Sequence, residues 1–453
     1  MFRTVLVANR GEIALRVART CREMGIRVVA VYSTEDRDSQ LVRFADEAVA
    51  IGPAPARRSY MYAPAILEAA RRTGADAIHP GYGFLSEDPH FAAACAAEGL
   101  TFIGPSSSVV SALGDKTQAR ELLSGAGMPL LPGSLKPLAD LAAAQRVADE
   151  IGYPVIIKAA MGGGGRGLRV VHDSAHFGQA YRETRAQAQA LFGDARVYVE
   201  RYLATSRHVE IQILADNYGN VVHLGERDCT VQRRHQKLIE ETPAPGLPRE
   251  TVERMGQAAV AGALAAGYAG AGTFEFLVDE AGDFHFLEVN CRIQVEHPVT
   301  EMVTSIDLVA QQLRIAAGEP LTLGTVERRG AAIECRINAE DPARDFAPAP
   351  GMLTEFVPPG GPFVRVDTAA YQGSRVSPAY DSLIAKLIVW APDREQAIAR
   401  MARALDEFRI DGPGIATTAG FLAETVRSSA FRTGTHTTST LMVAARPLAA
   451  ETV

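Results

Sequence analysis

The sequence predicts an α/β and α+β protein, on three observations. Strand-like and helix-like segments alternate up to about residue 114. A strand then runs into a glycine loop, and an acidic hairpin follows it. From about residue 331, short strands and Pro/Gly turns dominate. Strands alternating with helices imply a mostly parallel sheet. A length of 453 residues suggests two or three domains.

The N-terminal alternation reads as βαβ units. Residues 5–8 form a short apolar strand, and Asn9-Arg10-Gly11-Glu12 is a turn. Residues 13–24 are helical, with Leu15, Ala18, Cys21 and Met24 on one face and Gly25 as the stop. Residues 27–31, 77–80 and 100–103 read as further strands. Beyond them, Asp115 can N-cap a short helix that ends near residues 125–129.

Residues 155–159, 197–200 and 221–224 read as strands. So does the alternation of His208, Glu210 and Gln212 with Val209, Ile211 and Ile213. Residues 273–278 and 284–290 flank Asp279-Glu280-Ala281-Gly282, a hairpin with a four-residue loop. Residues 305–317 are expected to be one amphipathic helix, and helices return at 393–408 and after Gly414.

A composition of 47% hydrophobic and 22% charged residues is that of a soluble globular protein. The net charge of -7 is a poor match to a nucleic-acid backbone, so that partner class is set aside. Any anionic substrate must be held by local basic groups. The 5 cysteines are scattered without a CxxC pair, which argues against a disulfide framework or zinc knuckle and for the cytoplasm. No secretory leader and no apolar run of about 18 residues is read, so no membrane association is expected.

Four segments could carry chemistry. Lys158 precedes Ala159-Ala160-Met161 and then Gly162, Gly163, Gly164 and Gly165. Consecutive glycines stabilise neither strand nor helix but let backbone N–H groups wrap phosphate oxygens. A flexible linker is the plain alternative, and the lysine-bearing strand before the loop argues against it. No Gly-Lys-Ser/Thr follows, so this is not a Walker A loop. On the hairpin, Glu275, Glu288 and Asn290 offer hard oxygen ligands that suit Mg²⁺. Alone, acidic residues on a solvated strand face remain the commoner explanation.

Residues 290–298 place Arg292 four positions before Glu296. A guanidinium can bind a planar oxyanion, and a carboxylate can accept its proton. A surface ion pair is the alternative. The basic run at residues 226–237 suggests an anion site in an acidic chain, though such runs are often solvated faces. The glycine-rich stretch at residues 79–87 lies where open α/β sheets bind ligands. Asn9-Arg10-Gly11-Glu12 lacks the GxGxxG fingerprint, so a dinucleotide reading fails even with Asp36 suitably placed.

Taken together, residues 8–14, 79–87, 158–167, 226–237, 272–275, 288–301 and 334–340 resemble the biotin carboxylase family of the ATP-grasp ligases. The matching stretches run in family order over nearly the whole chain. The resemblance implies three parts: a parallel-sheet, pre-ATP-grasp domain at 1–114, an ATP-grasp core at 115–330 with a mobile lid at about 131–203, and a mixed C-terminal domain at 331–446.

The resemblance also implies roles. Lys116, Lys158 and the glycines from 162 to 165 would hold ATP phosphates, Glu200 and Leu203 would face the adenine, and His208, Gln232, His235, Leu277 and Leu287 would line the nucleotide pocket. Glu275, Glu288 and Asn290 would bind Mg²⁺, with Mn²⁺ as a substitute. Lys237, Arg292, Gln294 and Val295 would hold bicarbonate, with Glu296 as its base. Arg336 would stabilise the enolate of biotin, and Tyr82 would sit near its ring.

The expected partners are a biotin carboxyl carrier protein, carboxyltransferase subunits and a second copy of the chain, with Arg19 and Glu23 at the dimer interface. No Met-Lys-Met turn occurs, and residues 446–453 are too few for a further domain, so biotin is expected on a separate protein. Met161, where many members have glycine, and Cys291, often threonine in acetyl-CoA carboxylase subunits, depart from the pattern. Both leave open whether the acceptor downstream is acetyl-CoA, another acyl-CoA or pyruvate. Rival readings are a different ATP-grasp ligase and a nucleotide-binding subunit without turnover.

Overall fold

The computed structural model describes residues 1–162 and 165–440. The first sheet has five strands in the order Glu47–Gly52, Arg27–Ser33, Thr4–Val7, Ala77–His79 and Thr101–Phe102. Every pairing in it is parallel, as the alternation predicts. Thr4–Val7 is buried throughout because the sheet is covered on both faces. Val5 and Val7 pack with Ile13 and Val17 on one side, and Leu6 packs with Ile66 and Ala70 on the other.

The second sheet is antiparallel, with eight strands. Its order is Phe284–Asn290, Gly270–Val278, Arg207–Ala215, Val221–Arg233, Gln236–Thr242, Ala331–Asn338, Leu383–Ala391 and Val364–Thr368. It crosses residue 330 without a break, because Gln236–Thr242 pairs with Ala331–Asn338. The core and C-terminal segments, which differ in sequence texture, therefore share one sheet. A third sheet, Leu168–Val171, Val155–Ala159 and Val197–Arg201, carries the helices Leu141–Ile151 and Ser174–Phe192. Its own core of Val155, Ile157, Phe177, Tyr181 and Val199 gives this part a separate packing unit.

Four local expectations need correction. Gly11 and Glu12 are not turn residues but open the helix Gly11–Glu23. The strand expected at 221–224 continues to Arg233, so the basic run is the far half of a hairpin. The acidic hairpin loop also includes Asp283 and is one residue longer than expected. The helix expected at 305–317 starts later, as Leu308–Ala316, and a separate helix, His297–Thr304, precedes it. Ser305 takes a left-handed conformation between them, and the Asp307 carboxylate caps the second by accepting from Ala310 N at 2.8 Å. Asp115 does cap Lys116–Gly125, accepting from Thr117 N and Gln118 N. Residues 446–453 lie outside the described residues.

Candidate active site

The acid–base corner is built by three neighbouring segments. The chain reverses at Arg234 and His235, both with positive φ, and this sets Lys237 opposite Gln232. Arg336 projects from Ala331–Asn338, and Glu296 sits just before the helix His297–Thr304. Lys237 Nζ donates to Glu296 Oε1 at 2.6 Å, Glu210 Oε2 at 2.6 Å and Glu275 Oε1 at 2.8 Å. Arg336 Nη2 donates to Glu296 Oε2 at 2.9 Å. Glu296 is 0% exposed. Burial alone would raise its pKa, but Lys237, Arg336 and Arg227 outweigh burial and hold it well below the ordinary carboxylate value. Burial likewise acts against the Lys237 ammonium, yet Glu210, Glu275 and Glu296 raise its pKa well above the ordinary value.

The acidic hairpin brings its candidate metal ligands together by register. Glu275 and Glu288 are directly opposed, and Asn290 follows Glu288 on the same face. Asn290 Nδ2 and Gln294 Nε2 donate to Glu275 Oε1 at 2.9 and 3.1 Å, and Lys116 Nζ meets Glu288 Oε2 at 2.8 Å. Burial opposes ionisation of Glu275, but Lys237 and His208 dominate and depress its pKa. Arg292 is held from several sides. Its Nε donates to Glu87 Oε2 at 2.8 Å, Nη1 to Gln294 Oε1 at 2.8 Å and Nη2 to Asn290 Oδ1 at 2.9 Å.

On the opposite wall, Lys158 and Arg120 both contact the Glu200 carboxylate, the latter at 2.8 Å. Lys116 Nζ donates to Gly162 O at 2.5 Å. Gly162 has φ +96°, and a Cβ there would run into the Phe192 ring; at Gly165 it would lie 2.5 Å from His235 Cβ. Only glycine permits both close approaches. Gln232 and His208 meet at 2.6 Å, and Tyr82 OH donates to Glu12. Burial beside Lys158 lowers the pKa of His235.

The candidate residues among these groups, with Leu203, Leu277, Leu287 and Val295, line one cleft of about 730 Å³, whereas Glu87, Arg120 and Glu210 are not part of its lining. Every candidate among the described residues reaches it, while Gly163 and Gly164 lie outside those residues.

Three family models match the chain in order. They are "Biotin carboxylase, N-terminal domain" at residues 1–110, "Carbamoyl-phosphate synthase L chain, ATP binding domain" at 115–323, and "Biotin carboxylase C-terminal domain" at 334–442. A biotin carboxylase of Nostoc sp. is 52% identical over 440 residues, covering 97% of this chain and 98% of the relative. The chain belongs to the biotin carboxylase family. It is accordingly an ATP-dependent ligase that carboxylates biotin.

A pyruvate carboxylase subunit of Methanothermobacter thermautotrophicus is also 52% identical, over 96% of this chain and 88% of its own. The biotin carboxylase of Campylobacter jejuni, solved as a β,γ-ATP complex, superposes with a TM-score of 0.95 at 47% identity, covering 98% of this chain and 99% of that one. The biotin carboxylase domain dimer of Hydrogenobacter thermophilus 2-oxoglutarate carboxylase, solved with MgADP, ADP and bicarbonate, gives 0.94 at 47% identity and 98% coverage of each chain.

The biotin carboxylase cleft also has supports that the sequence does not single out. Arg227 is buried behind Lys237 and donates to Glu210 Oε1 at 2.6 Å and Gln212 Oε1 at 2.8 Å. Glu240 accepts from Arg336 Nε at 2.6 Å. Lys386 reaches Val295 O at 2.9 Å and Glu12 Oε1 at 3.1 Å. The usable signals were the polar alternation at 208–212 and a lone lysine in the apolar strand Leu383–Ala391. The hairpin donors fit a divalent metal. Glu275 and Glu288 are opposed carboxylates that each carry an ammonium partner, where a hard cation would find the same charge and oxygen chemistry.

Proposed function

We propose that this chain carboxylates biotin on a separate carrier protein, as the biotin carboxylase subunit of an acetyl-CoA carboxylase. The observation that carries the reading is the convergence of Lys237, Glu296 and Arg336 with the Glu275–Glu288–Asn290 hairpin in one cleft. The Campylobacter and Hydrogenobacter structures, solved with adenine nucleotide, support the ATP assignment, and the latter supports bicarbonate and magnesium.

In this reading Lys116, Lys158 and the glycine loop receive the phosphates of ATP, with Leu203, Leu277 and Leu287 beside the base. Mg²⁺, or Mn²⁺, held by Glu275, Glu288 and Asn290, neutralises phosphate charge. Lys237, Arg292, Gln294 and the Val295 segment hold bicarbonate. Sharing the Lys237 ammonium with that anion loosens its hold on Glu296, so the carboxylate gains proton affinity as the substrate binds. Glu296 takes the bicarbonate proton. The freed oxygen attacks the γ-phosphorus, the bond to ADP breaks, and carboxyphosphate forms. That product is labile in water. The separately packed unit around Val155–Ala159 and Val197–Arg201 acts as the lid that excludes solvent. Arg336 then stabilises the enolate of biotin, with Tyr82 beside the ring.

The functional parts correspond to residues 1–114, 115–330 and 331–446. We place the chain in the cytoplasm as a homodimer. Its free, buried cysteines among the described residues suit a reducing compartment, and Arg19 and Glu23 are exposed on one helix. The Hydrogenobacter domain dimer supports the second copy. The equal identity of the Methanothermobacter protein favours a second reading, service to a pyruvate carboxylase. The test measures ADP release with and without bicarbonate and biotin, then kcat/KM for free biotin against a biotinylated carrier domain. Bicarbonate-independent release, or no gain with the carrier, would overturn the first reading. Malonyl-CoA or oxaloacetate formed with the matching carboxyltransferase separates the two readings.

A further inference from the structure

Behind Arg336 lies a pair of acids that the reaction scheme leaves unused. Glu240 and Glu334 are directly opposed on the paired strands Gln236–Thr242 and Ala331–Asn338. Both are 0% exposed, and neither is among the residues lining the cleft. Glu240 Oε1 accepts from Arg336 Nε at 2.6 Å, while Glu240 Oε2 and both Glu334 oxygens have no hydrogen-bond partner. The charged groups acting on the pair are Arg336, Lys237, Lys386 and Glu296. Two facing buried carboxyls with one direct cation contact do not both ionise at neutral pH. Burial, aided by Glu240, raises the pKa of Glu334 well above the ordinary value, against Lys386 and Arg336. Glu240 is pushed up only to about 7, by burial and by Glu296 against Arg336 and Lys237. Glu334 thus holds its proton the more firmly, and the charge that the pair carries sits on Glu240, against Arg336 Nε.

The consequence falls on the guanidinium. Nε is fixed by Glu240 and Nη2 by Glu296, and among the described residues Nη1 has no hydrogen-bond partner. We propose that Glu240 is a positioning residue for the second half-reaction. It clamps Arg336 so that Nη2 serves Glu296 while Nη1 stays available to the biotin ureido oxygen. This rests on the assignment of Arg336 to biotin made above. A clamped guanidinium is already oriented for the developing enolate charge and does not reorganise during the reaction.

The experiment compares Glu240→Ala, Glu240→Asp, Glu240→Gln, Arg336→Ala and the double variant Glu240→Ala/Arg336→Ala in two assays. One follows carboxylation of biotin and the other bicarbonate-dependent ATP cleavage without biotin. Expected is a loss of about tenfold or more in the first for Glu240→Ala, with the second within about threefold. Glu240→Gln, whose amide oxygen can still accept from Nε, retains most of the activity. The double variant falls no further than Arg336→Ala, because the residues act through one another. If Glu240→Ala does not fold, Glu240→Asp decides, since its shorter arm withdraws the acceptor and is expected to show the same selective loss. Equal loss in both assays, additive losses, or wild-type behaviour of both Ala and Asp variants overturns the inference alone, provided Arg336→Ala is selective. An unselective Arg336→Ala overturns it together with the role of Arg336.

Discussion

Lys237 Nζ lies 2.6 Å from Glu296 Oε1 and 2.8 Å from Glu275 Oε1, so one ammonium joins the proposed base to a proposed metal ligand. Without substrate, that contact keeps Glu296 ionised and weakly basic, since its pKa is held well below the ordinary value against burial. An arriving anion competes for the same ammonium. In the proposed reaction the ion pair is therefore the resting state from which binding releases the base.

Glu296→Gln keeps the shape of the side chain and removes its capacity to accept the proton. ATP affinity should be retained, while kcat falls by about two orders of magnitude or more. Steady-state kinetics at saturating bicarbonate check this. Near-normal turnover would remove Glu296 from the role.

Glu275→Gln and Glu288→Gln address the metal. In the metal-free protein Lys237 still has Glu210 and Glu296 when Glu275 is neutralised, so the fold keeps its charge partners. Each variant should raise the Mg²⁺ concentration needed for half-maximal ATP cleavage by about tenfold or more, the scale set by losing one charged ligand. The melting temperature in EDTA should stay close to that of the parent. A collapsed melting temperature with unchanged magnesium dependence would make these residues structural.

The acidic hairpin was legible because strand periodicity is local. Positions 288 and 290 share a face whatever lies beyond them, and the short loop forces Glu275 close to Glu288. The parallel N-terminal sheet was legible for the same reason. The eight-stranded sheet was not, because nothing in residues 236–242 or 331–338 says that they pair with each other. The residues that support the site follow from such pairings. Glu240 meets Arg336 only because those strands are neighbours, and Glu12 meets Lys386 across 374 residues of chain on a third. The late start of the helix Leu308–Ala316 was hidden too, since Ile306 ahead of it keeps apolar spacing with Val309 and Leu313 inside it.

His79 couples acidity to stability. Its ring is 0% exposed and its Nδ1 accepts from Gly81 N at 3.0 Å, which requires the neutral form. Burial lowers its pKa from 6.5 to about 4. Above pH 6.5 both folded and unfolded chains hold it neutral and nothing is lost. As the pH falls from 6.5 to 4, the unfolded chain takes up a proton that the folded chain refuses, and stability falls by up to about 3 kcal/mol. His79→Asn keeps an acceptor for Gly81 N but does not titrate. Thermal melts across this window should show a smaller acid-induced drop for the variant. Identical slopes for the two proteins would contradict the assignment.

Lys386 and Glu12 form the last case, a buried ion pair whose two members should fail unequally. Lys386 is 0% exposed, with Nζ 2.9 Å from Val295 O and 3.1 Å from Glu12 Oε1. Glu12 also accepts from Tyr82 OH, and burial raises its pKa against the pull of Lys386. Removing one member of a buried pair strands the other, at about 3–5 kcal/mol, whereas removing both costs much less. Lys386→Met should therefore lower the melting temperature clearly, and Glu12→Gln added to it should restore part of the loss. The carbonyl that Lys386 holds belongs to the loop assigned to bicarbonate. At a temperature where the single variant is folded, its KM for bicarbonate should rise more than its KM for ATP. If the two substitutions simply add in melting temperature, or if both KM values rise alike, the pair does not hold that loop in place.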